Sequence, residues 1–280
     1  MSGTASTVRA FLLVEQAGPW GQVALRDSRL VVRKELAVRS AAAGVRVLLI
    51  RRHGRPLAHT GLRIFAAYAD PVAPRLETTL LDGPEELLDL DLDGLRRRHS
   101  AGLPESPEPV FLICTHGRHD ACCAERGRPA AGALATADPG PTWETSHIGG
   151  DRFAANLVVL PDGLYYGRVT PDDAVRIAAL HRAGRLDLRQ LRGRSGWATS
   201  IQAAELALRR HLSEDRVDAV GLVRHEGDLV RLEVTGRVYD VRLRLRLDPP
   251  ARLTCSAQVD NPVPRYELLE ITSEVAQPEG

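Results

Sequence analysis

The sequence predicts an α/β protein: two units of helices layered on a mixed sheet, then a small C-terminal antiparallel β module. Three observations carry this. Up to about residue 212, apolar runs of strand length alternate with helix-like segments. Runs such as VRVLLIRR (45–52) are apolar almost throughout, as in strands buried on both faces. From Val217 onward the apolar period drops to two, the pattern of a sheet with one wet face.

Taken in order, VRAFLLVEQ (8–16) is one buried strand, closed by the turn signal AGPWG. Residues 20–43 carry a broken helical pattern through Leu30, Val31, Leu36 and Val38, with Gly44 as its C-cap. The strand at 45–52 follows, then a turn at HGRP, then strands at 62–70 and 74–81 separated by Asp70-Pro71. Pro84 to His99 predicts a helix, because proline and two glutamates place acid at the positive end of the dipole. The order β-α-β-β-β-α fits a small thioredoxin-like layer of helices on a mixed sheet. AGLPESPEP (101–109), with three prolines, reads as a linker.

The second unit has a similar order. A strand at Val110–Cys114 leads through a loop to a helix at 121–135 and a strand at 142–147. The hairpin FAANLVVLPDGLYYGRV turns at Pro161-Asp162-Gly163, and a helix runs from Pro171 to Ala183. RGRSGWATSIQAAELALRRHL (192–212) opens as a glycine loop and becomes an amphipathic helix. The antiparallel module comprises DAVGLVR, LVRLEVT, VYDVRLRLRL, RLTCSAQV and YELLEITS, with a turn at His225–Asp228. Arg242, Arg244 and Arg246 share one side of a strand, either as a solvated face or as a docking strip. Beyond Thr272 the chain reads as a frayed tail. These boundaries divide it into an N-terminal thioredoxin-like unit (1–104), a second thioredoxin-like unit (105–212) and the β module (213–280).

Composition excludes several function classes. A formal net charge of +1 gives no footprint for nucleic acid, which needs a basic excess on one face. The longest apolar runs are too short for a bilayer span, and the N-terminus has no basic region before an apolar core, so no membrane or secretory role is expected. Four cysteines, two of them adjacent, do not form a disulfide framework; clustered thiols in a reducing, cytoplasmic setting point to metal or redox chemistry. Neither a P-loop nor a dinucleotide-binding glycine fingerprint is present, and no pair of carboxylates is placed for glycoside hydrolysis.

The chemistry collects between Val110 and Val169. Cys114 ends a strand, and Cys122 and Cys123 sit at the start of the next helix, where a helix N-terminus favours thiolate. Cys114-x8-Cys123 is a loop long enough to wrap one inorganic centre. The stretch His147-Ile148-Gly149-Gly150-Asp151 supplies a histidine and a carboxylate on a backbone whose glycines permit close approach. Cys255 and Cys122 also read as small core hydrophobes.

CTHGRHDACC, the downstream GRP and SHIGGDRFAANLVVLPDGLYYGRV resemble the signature of the sucrase/ferredoxin-like family, whose members contain a thioredoxin-like ferredoxin domain. LLVEQAGPWG and LRGRSGW with its following QAAE extend the likeness over roughly residues 8–212. The resemblance implies a [2Fe-2S] cluster held by two Cys and two His, falling on Cys114, Cys123, His147 and the position of Asp151. Where the full family motif has a second histidine this chain has Asp151, a harder donor than imidazole. Imidazole ligation raises a cluster's potential, so a His/Asp site should sit lower than a His/His site. Cys122, His116 and His119 are the candidate replacements.

The resemblance therefore implies a one-electron carrier serving an unidentified redox partner protein. Two other readings stand beside it. Cys, Cys, His and Asp also suit a closed tetrahedral zinc site in an interaction protein. Cys114 with Cys122 or Cys123 suits a thiol redox enzyme, although no Cys-x-x-Cys motif is present.

Overall fold

The computed structural model describes residues 1–54, 60–254 and 257–274. It is a mixed α/β structure with one nine-stranded sheet and a separate four-stranded antiparallel sheet. The first half of the large sheet comprises β1 (Ala10–Glu15), β2 (Val45–Arg51), β3 (Leu62–Tyr68) and β4 (Arg75–Leu81). Helix α1 (Arg33–Ala43) carries the chain from β1 to its parallel neighbour β2, ending at Gly44, whose φ of 65° is the left-handed cap expected of it. The second half comprises β5 (Val110–Cys114), β6 (Thr142–Thr145), β7 (Asn156–Leu160) and β8 (Leu164–Gly167), with α3 (Ala121–Ala137) joining the parallel pair β5 and β6. Both halves share one strand order, β2-β1-β3-β4 and β6-β5-β7-β8, and β9 (Leu191–Arg194) adds a last strand beside β8.

The halves are one sheet because β2 and β6 pair antiparallel through Ile50↔Thr145 and Arg51↔Glu144. The sheet curls. Its inner face gathers Phe11, Leu13, Leu48 and Phe65 with Leu112, Cys114, Trp143 and Tyr165 into one core, and Phe65 meets Trp143 edge-on at 5.7 Å from two strands that are not neighbours. The outer face is covered by α1 and α2 (Leu92–Arg96) over the first half, and by α3 and α4 (Pro171–Arg182) over the second. Phe11, Leu12, Leu13 and Val14 are all 0% exposed, which is the two-sided burial that the apolar run predicts.

The second sheet follows the order β10 (Val220–Glu226), β11 (Leu229–Val234), β12 (Arg237–Ala251) and β13 (Asn261–Glu274). One face packs on α5 (Thr199–Leu212) through Ile201, Ala204 and Leu208 against Val230, Leu232 and Val241. Arg242, Arg244 and Arg246 are exposed on the other side of β12, and Arg242 and Arg246 pair with Asp228 and Glu267.

Several elements differ from expectation. The helix predicted over 84–99 is a 3-10 turn (Pro84–Leu88) followed by the short α2, because Asp91 caps a new start by accepting from Gly94 N at 2.7 Å. The helical pattern from residue 20 becomes helix only at Arg33, since Asp27 captures the Val23 N–H in a turn. The opening of RGRSG is strand, not loop: Arg192 and Arg194 are buried with partners of their own. RLTCSAQV forms no strand among its described residues, and Cys255 lies outside them. So do Arg55 and Pro56 of the HGRP turn, and the tail beyond Glu274.

Candidate metal centre

Cys114 occupies the last position of β5, a strand with hydrogen-bonded neighbours on both sides, so its Cα is fixed by two ladders. The chain then loops outward and Asp120 caps α3, its carboxylate accepting from Cys122 N at 3.2 Å. This places Cys123 in the first helical turn, 1% exposed, facing back on Cys114. The approach of helix to strand depends on Gly127, where a Cβ would overlap the Cys114 carbonyl oxygen. The GRP following the cysteines is therefore a packing feature.

The two thiols are joined by a hydrogen bond. The Cys123 thiol donates to Cys114, and His147 and the His116 N–H add to it, holding Cys114 well below the usual thiol range against its burial. The same hydrogen bond, burial and the neighbouring negative charges push Cys123 up. Of the two thiols, Cys114 is the one whose thiolate form these contacts favour.

His147 and Asp151 come from the loop after β6. Gly149 (φ 94°) and Gly150 (φ 84°) turn the backbone into a left-handed bend, and Asp151 opens a 3-10 turn. Arg192 lies directly beneath. Its Nη1 donates to Gly149 O at 3.2 Å and to Asn156 Oδ1 at 2.8 Å, Nε donates to Thr4 Oγ1, and Nη2 donates to Thr4 O. Asn156 Nδ2 in turn donates to Gly150 O. A Cβ at Gly150 would collide with the guanidinium. Every acceptor of this buried cation is neutral, and burial pushes Arg192 down to about 10.

Around this bend the donors converge. Cys114 Sγ, Cys123 Sγ and a His147 nitrogen lie within 4.8 Å of one another, and so do donor atoms of His119, His147 and Asp151. His147 Nδ1 is 3.0 Å from Asp151 Oδ1 but outside hydrogen-bond geometry, which leaves that buried nitrogen without a hydrogen-bond partner. His119 stacks on His147 with centroids 3.8 Å apart, its Nε2 3.8 Å from Asp151 Oδ2. Burial pushes Asp151 up, against the pull of both histidines.

The other two candidates are directed elsewhere. His116 donates from Nε2 to Gly21 O at 2.6 Å and accepts the His147 N–H at Nδ1, so both ring nitrogens are used and burial keeps the ring neutral. Cys122 Sγ donates to Asp120 Oδ1 at 3.1 Å and falls in neither donor group. Sequence reasoning missed Arg192, Asn156 and Gly127. Arg192 lies in LRGRSGW, so its motif was visible while its contact with residue 150 was not.

Two soft thiols, an imidazole and a carboxylate form a donor set that could hold a metal. The two triads share only His147, and among the described residues no four donors fall within one such shell. The groups also meet directly, Cys123 Sγ lying 3.8 Å from Asp151 Oδ1. No helix is long and apolar enough to cross a membrane among the described residues.

Residues 1–193, which include every donor, match the family model described as Sucrase/ferredoxin-like. No curated protein and no solved structure matches the chain.

Proposed function

The chain belongs to the sucrase/ferredoxin-like family, and on that premise we propose that it is a one-electron carrier whose [2Fe-2S] cluster is held by Cys114 and Cys123 together with His147 and Asp151. His119 is the replacement for Asp151 that the geometry favours, because its ring already stacks on His147. The observation that carries the reading is the convergence of two thiols with imidazole and carboxylate donors, His147 belonging to both donor groups and Cys123 Sγ lying 3.8 Å from Asp151 Oδ1. Such a cluster, when bound, supplies reversible one-electron chemistry.

The protein's own residues prepare that site. Asp120 starts the helix that returns Cys123 to Cys114, and the hydrogen bonds to Cys114 favour its thiolate form. Arg192 and Asn156 clamp the bend that presents His147 and Asp151. Both cysteines are buried while the His119 side chain is 37% exposed, so electron exchange with a redox protein would take place at the histidine edge. Buried thiols also weigh against a disulfide substrate.

Three further expectations belong to the same proposal. The shared strand order supports two thioredoxin-like units at 1–104 and 105–212. The separate sheet supports a β module at 213–280. Free cysteines at 114, 122 and 123 support a reducing, cytoplasmic setting.

Protein purified without oxygen should be red-brown and, on reduction, give the EPR signal of a one-electron-reduced two-iron cluster. A colourless, EPR-silent protein carrying zinc would replace this reading with the closed structural site.

A further inference from the structure

A second site lies on the other side of the Asp151 turn. There a cavity of about 420 Å³ opens between the nine-stranded sheet and the far ends of β12 and β13. Four arginines from separate segments line it: Arg152 on the 3-10 turn, Arg168 after β8, Arg252 after β12 and Arg265 on β13. Among the described residues its one carboxylate is Asp248, which faces Arg265 at 3.3 Å. Arg152, Arg168 and Arg252 have no ion-pair partner among the described residues. Arg152 also has a buried Nη1 that meets no acceptor.

Like charges do not gather around a cavity without a cost, and the one acid in the wall, Asp248, pairs with Arg265 and leaves the other three arginines unoffset. The local backbone is committed to the arrangement: Arg168 sits at φ 58°, an uncommon conformation for a side-chain-bearing residue, and its N–H donates to Phe153 O at 2.6 Å. Phe153, Val263 and Tyr266 give the wall an apolar and aromatic part, beside Ser2 and Thr4. Tyr266 is fixed by a hydrogen bond to Thr199 at 2.9 Å.

We propose that this cavity binds a small organic phosphate, its oxyanion among Arg152, Arg168 and Arg252 and its organic part against Phe153 and Tyr266. Guanidinium groups carried by three separate segments suit a tetrahedral oxyanion, whose acceptors point in several directions, better than a planar carboxylate. An apolar wall with a few convergent polar groups is the general form of a small-molecule site. The β module would thereby have a role of its own, closing one side of a pocket whose opposite wall carries the Asp151 turn. None of this depends on which metal the neighbouring centre holds.

Calorimetric titration of the full chain with phenyl phosphate, inorganic phosphate and phenol tests the proposal. Phenyl phosphate should bind more tightly than either of the others. Arg168→Gln and Arg252→Gln, both at exposed positions, should each weaken it about tenfold. Arg29→Gln, at an exposed position between β1 and α1, should leave it unchanged, and melting temperatures would show that all three variants fold. Absence of binding, equal affinities for phosphate and phenyl phosphate, or equal losses in all three variants would each overturn the proposal.

Discussion

In the proposed centre His119 and Asp151 are alternatives for one ligand position, because both lie against His147. His147 is the vertex shared by both donor groups, with Asp151 3.0 Å from its Nδ1 and His119 stacked on its face. Asp151→His should slow loss of the cluster and raise its midpoint potential, because imidazole is the softer donor and favours the reduced form. Spectroelectrochemical titration of both proteins reads this directly, and a lower potential in the variant would contradict it. Arg192 acts from behind the bend, as a buried cation bonded only to neutral acceptors. Arg192→Gln, provided it retains iron, should lower the midpoint potential by roughly 50 mV, about 1 kcal/mol for a one-electron couple. An unchanged potential would show the charge to be screened from the site. The candidate ligands were legible in the sequence because their types are rare and clustered. Arg192 was not, because an arginine in a glycine-containing stretch reads as loop until its contact with residue 150 is known. His116 was equally opaque, since the Gly21 carbonyl that occupies it lies 95 positions away.

At the scale of elements, the seam between β2 and β6 joins the two halves of the large sheet through two register pairs, one of them Arg51↔Glu144. Arg51 Nη2 reaches Glu144 Oε2 at 2.6 Å, Thr115 Oγ1 donates to the same oxygen at 2.7 Å, and His53 Nδ1 meets Oε1 at 2.7 Å. Burial alone would raise Glu144, but the Thr115 hydroxyl, Arg51 and His53 together hold it below the usual carboxylate range. A carboxyl lowered in the folded state contributes stability that is present above its unfolded pKa and lost as pH falls through the folded value. Glu144→Gln should therefore cost about 3 kcal/mol at neutral pH. The gap should narrow below about pH 4, where the unfolded carboxyl takes up its proton. Denaturant melts across that range measure it, and a gap independent of pH would assign the loss to packing alone. Strands and hairpins such as β5, β7 and β8 were legible because a two-sided apolar run bounded by turn residues has few other readings. The junction was not legible, because Arg51 and Glu144 look like surface charge until the strands carrying them pair.

For the whole molecule, the sequence divides naturally into similar α/β units, whereas the structure makes them halves of one curled sheet with a common inner core. Phe65 and Trp143 meet across that core from different halves, a contact that local periodicity cannot encode. The wet face of the second sheet was readable from its period of two; the packing of its other face on α5 required the tertiary fold. The central claim is that Cys114, Cys123 and His147 converge on one inorganic centre containing iron and sulfide. Iron and acid-labile sulfide assayed together on protein purified without oxygen, with Cys114→Ser alongside, test it most directly. Equal amounts of iron and sulfide in the native protein, both lost in the variant, are the expected result; zinc without sulfide, or iron that survives the substitution, would contradict it.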